Sequence, residues 1–171
     1  MVKNTILTLL LTIGFSVAAN AQRIAYVNVR AILESIAEYQ EAQKELDELA
    51  ARWRTEIAGE YDKIKAEYNR YQAEQVLLSD EARRAKEDEI MEMEKRVREM
   101  QKERFSPEGL LFEKRKELVQ PIQDRIYGAI QDYADDRGYD FIFDNSNGAS
   151  GIIFANPEYD KTNDIIDKIR K

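Results

Sequence analysis

Residues 39–75, YQEAQKELDELAARWRTEIAGEYDKIKAEYNRYQAEQ, carry the strongest structural pattern in this chain. Apolar or aromatic side chains recur at steps of three or four residues, with a stutter in the middle, as in an a/d-type helical stripe. The residues between them are mostly Glu, Lys, Arg, Gln and Ala, which favour helix. The stretch predicts one helix about 55 Å long, at about 1.5 Å per residue, which must project from a domain of this size. The stripe consists of Tyr39, Ala42, Leu46, Leu49, Trp53, Ile57, Tyr61, Ile64, Tyr68 and Tyr71.

A second periodic run follows, from Ile90 to Tyr133, and it can return antiparallel to the first. Residues 76–80 would form the tip, where Ser79 suits the N-cap of the return helix. The two runs predict a helical-hairpin arm over residues 39–118. The apolar residues of the tip either close the hydrophobic end of the hairpin or contact a partner or membrane.

The return run is interrupted near residues 106–109. A proline in a helix removes an amide donor and clashes with the preceding turn, so the helix must bend or restart here. A second proline predicts another bend where the arm rejoins its base. The hinge candidates are Pro107, Gly109 and Pro121.

Residues 1–21 have the organisation of a cleaved secretory signal peptide. Lys3 supplies a positive start, residues 6–18 are apolar, and residues 19–21 read Ala-Asn-Ala. The apolar run is shorter than the roughly 20 residues of a membrane span, although an uncleaved anchor is the alternative. We expect an exported protein whose mature chain begins at Gln22.

Short strands are predicted near both ends of the mature chain. Residues 23–29 (RIAYVNV), 139–144 (YDFIFD) and 151–155 (GIIFA) are rich in β-branched and aromatic residues. An Asn-Gly turn at residues 145–148 would join the last two strands into a hairpin. Thr162 would then cap a closing helix.

These segments predict an α+β fold, mostly α, in which residues 22–38 and 119–171 form a small β body beneath the arm. A unit of this size buries little apolar surface, and a three-stranded sheet leaves edges open to pairing. Several copies that share one β core would remove both problems, so the sequence predicts a homo-oligomer. The residues predicted for this oligomer and body core are Ile24, Tyr26, Val27, Phe141, Phe143, Ile152 and Phe154.

The composition argues against catalysis. The chain has no His and no Cys, so it lacks the commonest general base, metal ligand and thiol nucleophile. It also has no Gly-rich phosphate loop, and its many carboxylates lie at helix-surface spacing, which disfavours a two-carboxylate hydrolase. We expect no catalytic residue, no metal and no cofactor. The net charge of −7 argues against nucleic acid as a partner.

The opening strand IAYVNV, the long charged hairpin, the strand YDFIFD and the closing segment YDKTNDIIDKIRK occur in the order and spacing of a known family. Together they resemble the Skp/OmpH family of periplasmic chaperones of Gram-negative bacteria, over residues 23–171. The resemblance implies a homotrimer with one β body and three helical arms. It also implies an ATP-independent holdase that keeps unfolded outer-membrane proteins between the arms in the periplasm.

The chain departs from that family in its charge. Familiar members are strongly basic, whereas this chain is acidic, with a sequence pI near 4.9. Capture of acidic clients, and contact with a membrane or lipopolysaccharide, are therefore in doubt. The local basic groups at residues 83–86, 95–98 and 114–116 either form positive stripes on the return helix or pair with neighbouring Glu residues.

A holdase needs many weak, sequence-tolerant contacts, which aromatic and methionine side chains can supply. The same side chains could instead fill the seam of the hairpin. The competing function is a structural coiled-coil spacer or adaptor of the cell envelope, although unbroken heptads with Leu/Ile seams would be expected there. The client-contact candidates are Tyr61, Tyr68, Tyr71, Met91 and Met100.

Overall fold

The computed structural model describes residues 22–147 and 151–170, so the predicted signal peptide lies outside the described residues. None of the described helices is long and apolar enough to cross a membrane. The elements in chain order are β1 (Ile24–Val27), α1 (Val29–Glu34), α2 (Ala37–Glu74), α3 (Asp80–Phe105), α4 (Leu110–Arg137), β2 (Phe141–Asp144), a 3-10 turn (Pro157–Tyr159) and α5 (Thr162–Ile169).

The predicted helical hairpin is confirmed. Helix α2 is 38 residues long, and α3 and then α4 pack back along it. Ser79 caps α3 as expected, because its hydroxyl accepts a hydrogen bond from the amide of Ala82 at 3.2 Å. Towards the tip, α2 and α3 enclose a separate apolar cluster, which we call the upper-arm core. Its buried members are Ile57, Ile64, Ile90 and Val97.

The predicted break lies between Phe105, where α3 ends, and Leu110, where α4 begins. Gly109 is buried in the turn between them, and a Cβ atom there would lie 2.6 Å from the carbonyl oxygen of Glu103. Pro121 behaves differently, because α4 continues through it without a restart. The interruption of the return path is therefore a tight turn packed around a glycine.

Strands β1 and β2 form a parallel pair, with Ile24 opposite Phe141. The predicted third strand over residues 151–155 is wrong for the single chain, since the sheet of the described residues has two strands. The other edge of β1 is met by Asp160, which forms a parallel bridge with Tyr26. The outer edge of β2, where the predicted hairpin would have placed residues 151–155, pairs with no other strand of the described residues.

The exit from β2 also differs from the predicted hairpin turn, whose glycine, Gly148, lies outside the described residues. The carboxylate of Asp144 accepts hydrogen bonds from the amide and the hydroxyl of Ser146, both at 2.8 Å. It accepts a third from the amide of Val29 at 3.3 Å. The end of β2 is therefore tied to the start of α1.

Both chain ends build the body. The amide of Asn28 donates to the hydroxyl of Thr162 at 2.9 Å, and the Asn28 side chain caps α1 by accepting from the amide of Ala31. Thr162 is not the cap of α5 but its first residue. Its amide and hydroxyl both donate to the carboxylate of Asp160, at 2.9 and 2.6 Å. That carboxylate therefore accepts the first amide donor of the helix. Gly138, at φ 65°, ends α4 in the left-handed conformation that glycine adopts readily.

The core of the body lies between α1, α4 and α5. Ile32, Ile126 and Ile165 are fully buried there. Tyr133 is also buried, and its hydroxyl donates to Asp164 at 2.6 Å. Burial, together with this hydrogen bond to a carboxylate, raises the pKa of Tyr133, which keeps the phenol neutral. The remaining buried members of the cluster are Val27, Val29, Leu33, Ile36 and Ile122.

Candidate functional site

The client-contact candidates fall into two groups on the arm. Tyr61, Tyr68 and Met91 expose 44%, 48% and 55% of their surface to solvent. Tyr71 and Met100 turn inward and pack against the upper-arm core. The hydroxyl of Tyr71 also donates to Glu87 across the hairpin, and this bond raises the pKa of the tyrosine. Three candidates are therefore available to a partner, whereas two are occupied by the hairpin itself.

An open groove of about 270 Å³ lies beside Tyr61 on one face of the arm. Arg54, Ala58 and Tyr61 line it from α2, and Gln101 and Phe105 line it from α3. The groove is shallow and mixed in polarity, with no enclosed pocket. Such a surface can offer apolar area with polar handles to a chain that lies across it.

The break in the return path is flanked by a cluster of aromatic and charged side chains, which we call the elbow cluster. The guanidinium of Arg104 donates two hydrogen bonds to the carboxylate of Glu56, at 2.8 and 2.9 Å. The same guanidinium lies 5.4 Å from the ring centre of Trp53. Trp53 in turn meets the ring of Phe105 edge-on, with centres 6.0 Å apart. The guanidinium of Arg54 lies 5.8 Å from the ring centre of Phe105.

The elbow cluster fixes the end of α3 to α2 just before the turn that contains Pro107 and Gly109. A bidentate pair is directional, and the hydrogen bond from Arg104 lowers the pKa of Glu56, so the carboxylate stays ionised. The last turn of α3 is therefore held by an ion pair and by three contacts that involve aromatic rings. Any flexing at the hinge candidates Pro107 and Gly109 would therefore be confined to the turn that follows this attachment.

Below the break, charged pairs link α4 to α2, and Leu46, Ala50 and Val119 are buried on these two helices. Arg125 donates to Glu38, which lowers the pKa of that carboxyl, and Lys114 lies 3.5 Å from Glu45. Between these pairs run two open grooves of about 690 and 490 Å³, both bordered by the third hinge candidate, Pro121.

The predicted oligomer and body core residues are mostly exposed within one chain. Val27 is buried, but Phe143 and Phe154 expose 42% and 85% of their surface. Ile24 and Phe141 are exposed as well, and Tyr26 and Ile152 are half-buried. Together with Tyr159, several of these side chains line an apolar groove of about 500 Å³ at the sheet edge. The fully exposed Ile153 belongs to the same segment and was absent from the sequence prediction.

At the tip, Val76 and Leu77 are 82% and 84% exposed, whereas Leu78 is half-buried. The expectation that the tip residues close the hairpin holds only for Leu78. Sequence reasoning missed the elbow cluster, in particular Arg104, Glu56 and Phe105. A signal was present, because Trp53 and Phe105 stand about equally far from the tip along the chain.

The described residues contain no cluster of side chains suited to a metal centre. Within residues 22–147 and 151–170, no three carboxylate side chains come together in a way that could hold a metal ion. Among the same residues, every buried side-chain polar atom has a hydrogen-bond partner. The exposed arm and the exposed sheet edge are therefore the candidate functional surfaces of the described residues.

Comparison with known proteins gives three consistent results. The sequence model of the family described as outer membrane protein (OmpH-like) matches residues 23–169. The chaperone protein Skp of Yersinia enterocolitica is 25% identical over 165 residues, which cover 94% of this chain and 93% of that protein. A crystal structure from Caulobacter crescentus, assigned as an OmpH-like outer membrane chaperone, superposes with a TM-score of 0.69 at 11% identity. The superposition covers 89% of this chain and 86% of the other, so the fold is shared.

Proposed function

The chain belongs to the OmpH-like outer membrane protein family, and from that premise we propose that it is an ATP-independent holdase chaperone of the periplasm. Membership of this family, with a chaperone among its relatives, supports a chaperone role. We propose further that unfolded outer-membrane proteins are held between helical arms, so that they cannot aggregate. The predicted signal peptide, residues 1–21, would deliver the protein to the periplasm.

One observation carries this proposal: a projecting arm exposes aromatic and methionine side chains after its own core is complete. The upper-arm core is filled by four buried aliphatic residues, and Tyr71 and Met100 pack against it. Tyr61, Tyr68 and Met91 remain outside and line no enclosed site. An exposed, adaptable surface of this kind fits weak contacts with many sequences better than tight binding of one ligand.

The proposed holdase works as a homotrimer that shares one β body. The open sheet edge and its apolar groove, with Phe143, Ile153 and Phe154 exposed, support such an assembly because water-exposed apolar surface of this size favours association. Three arms would then present their weak contacts to one client, and avidity would raise the overall affinity well above that of one arm.

Native mass spectrometry tests the proposal directly. The protein is expressed with its leader, purified after export, and measured alone and after mixing with a urea-unfolded outer-membrane β-barrel. We expect a trimer that gains one unfolded client and ignores the same client once folded. A stable oligomer that ignores the unfolded client would favour a structural spacer, and a monomer would refute the shared β body.

A further inference from the structure

Sulfur is concentrated in one short stretch of the arm. The chain has four methionines and no cysteine, and the first of them, Met1, belongs to the predicted signal peptide. The other three, Met91, Met93 and Met100, all lie on α3. Oxidants such as peroxides attack thiolates and thioethers. Because the sequence has no thiol to react first, sulfur oxidation in the exported chain falls on a single segment of the upper arm.

Two of the three methionines belong to the seam between α3 and α2. Ile90, Met93, Val97 and Met100 follow one another at steps of three, four and three residues, so they share one face of α3. Ile90 and Val97 are buried members of the upper-arm core, and Met93 and Met100 are half-buried and pack against it. Two of these four seam side chains are therefore thioethers.

Met91 differs from the other two. It exposes 55% of its surface to solvent. It precedes Met93 by two residues, which places it roughly 200° around the helix axis from that side chain. The arm thus offers an oxidant one exposed thioether on the outward side of α3 and two half-buried thioethers in the seam.

We propose that Met93 and Met100 form an oxidation switch of the upper arm, in which conversion of their thioethers to sulfoxides by a peroxide or by hypochlorous acid loosens the packing of α3 against α2. With hydrogen peroxide, the thioether sulfur attacks one oxygen, an S–O bond forms and the O–O bond breaks. The departing hydroxide takes the proton of the transferred oxygen and leaves as water. The sulfur loses two electrons, and the peroxide gains them. The inference goes beyond the proposed holdase function and does not depend on it.

A sulfoxide changes what the seam has to accommodate, since it turns a flexible apolar side chain into a polar, chiral one. Its oxygen accepts hydrogen bonds, but the side chains of Ile57, Ile64 and Val97 in the upper-arm core have no donor. The hydroxyl of Tyr71, which packs against the same core, already donates to Glu87. The new oxygen must therefore lose its hydration in the seam or draw water into it, and either outcome weakens the contact of α3 with α2.

The different exposure of the three sulfur atoms sets an order of reaction, because susceptibility to oxidation follows exposure. Met91 reacts first, and its outward position leaves the seam unchanged. Met93 and Met100 react when more oxidant is present, and only then does the packing of the hairpin change. Methionine sulfoxide can be reduced again by dedicated reductases, so the change is reversible.

Graded oxidation of the full protein, purified after export, tests the inference. Hydrogen peroxide is added at increasing concentration, peptide mass mapping gives the extent of sulfoxide at each methionine, and hydrogen exchange reports local opening of the arm helices. We expect Met91 to react first, with exchange unchanged. Once Met93 and Met100 carry sulfoxides, amides around the upper-arm core should exchange at least about tenfold faster, because an unpaired buried polar group shifts an opening equilibrium by about that factor. Amides of the body should not change.

Two variants separate the seam from the exposed methionine. Met93→Leu with Met100→Leu removes both seam thioethers and nearly conserves volume, so the hairpin should fold as in the wild type. After the same peroxide treatment its exchange should stay slow, although Met91 is still oxidised. The matched control, Met91→Leu, should respond as the wild type does. If the double variant does not fold, the two single leucine variants serve, each with a smaller acceleration than the wild type.

Reversal supplies the last arm of the test. Methionine sulfoxide reductases with a dithiol, which is oxidised to a disulfide while the sulfoxide oxygen leaves as water, should restore slow exchange. Exchange that accelerates in the double leucine variant as in the wild type would place the damage elsewhere and overturn the inference. Unchanged exchange in a wild-type protein whose Met93 and Met100 are oxidised would also overturn it. So would seam methionines that stay unoxidised after Met91 has reacted completely.

Discussion

Replacing Gly109 by alanine places a methyl group where the turn between α3 and α4 has no room for it. The added Cβ would lie 2.6 Å from the carbonyl oxygen of Glu103, 3.0 Å from the amide nitrogen of Ser106 and 3.1 Å from the carbonyl carbon of Arg104. All three neighbours are backbone atoms, so no side chain can rotate away. The backbone angles of Gly109, φ −82° and ψ 177°, are open to any residue, and the cost is therefore steric alone.

Overpacking of this kind costs about 1–3 kcal/mol. Alanine has less conformational freedom than glycine in the unfolded chain, and this offsets about 0.4–1 kcal/mol of the steric cost. We therefore expect Gly109→Ala to lower the free energy of unfolding by about 1–2 kcal/mol. In a chain of this length, that corresponds to a Tm lower by about 2–8 °C.

The assay is thermal unfolding followed by far-UV circular dichroism. All variants are measured at one protein concentration, because oligomerisation makes Tm depend on concentration. Gly59→Ala is the matched control, since Gly59 lies inside α2 and a Cβ atom there meets nothing within 4 Å. Alanine favours helix over glycine by up to about 1 kcal/mol, so this variant should be more stable than the wild type. A Gly109→Ala protein as stable as the Gly59→Ala protein would refute the description of the turn.

Three further predictions concern the arm. Replacing Tyr61 and Tyr68 together by serine should weaken the holding of an unfolded client and leave Tm nearly unchanged, because both side chains are exposed; a lowered Tm with unchanged client affinity would contradict this. Tyr71→Ser should instead lower Tm, because it removes contacts with the upper-arm core. Denaturant unfolding of this variant and of the wild type under the same conditions measures the loss. Arginine partners hold the pKa of Glu38 and of Glu56 below the ordinary value of 4.5, so these carboxylates stabilise the fold above that pH and the contribution is lost as pH falls through their lowered values. Changing both to glutamine should therefore flatten the fall of Tm with acidification, and an undiminished fall would exclude them as its source.

The hairpin could be predicted from the sequence because its signal is local. The stripe from Tyr39 to Tyr71 defines the helix, and the tip and the break follow from the residues at 76–80 and 106–109. Which tyrosines face outward could not be predicted, because steps of three and four residues place Tyr68 and Tyr71 on one broad stripe. Which tyrosine turns inward depends on the opposing helix, where Glu87 accepts a hydrogen bond from the hydroxyl of Tyr71.

The sheet could be predicted only in part, for a related reason. Local pattern identifies strands but does not say which strands pair when they are far apart in sequence. The segment YDFIFD was correctly predicted as a strand, but its partner is β1, more than a hundred residues away. A hairpin with residues 151–155 is the local alternative that the sequence favours. In the structure, the carboxylate of Asp144 at the end of β2 instead accepts a hydrogen bond from the amide of Val29. The close approach of the backbone of residues 103–106 to Gly109 likewise could not be predicted, because it depends on how the turn packs in three dimensions.

The joining of the two chain ends sets an order of events during folding. The hairpin is made of neighbours along the chain, so it can form as soon as its own residues are free to fold. The body cannot form so early, because the amide of Asn28 donates its hydrogen bond to Thr162, which lies 134 residues later in the chain. Contacts of long sequence separation form slowly, and the body is expected to close last. Any association through the body is therefore delayed until nearly the whole chain is present, which keeps fragments of the chain from joining it.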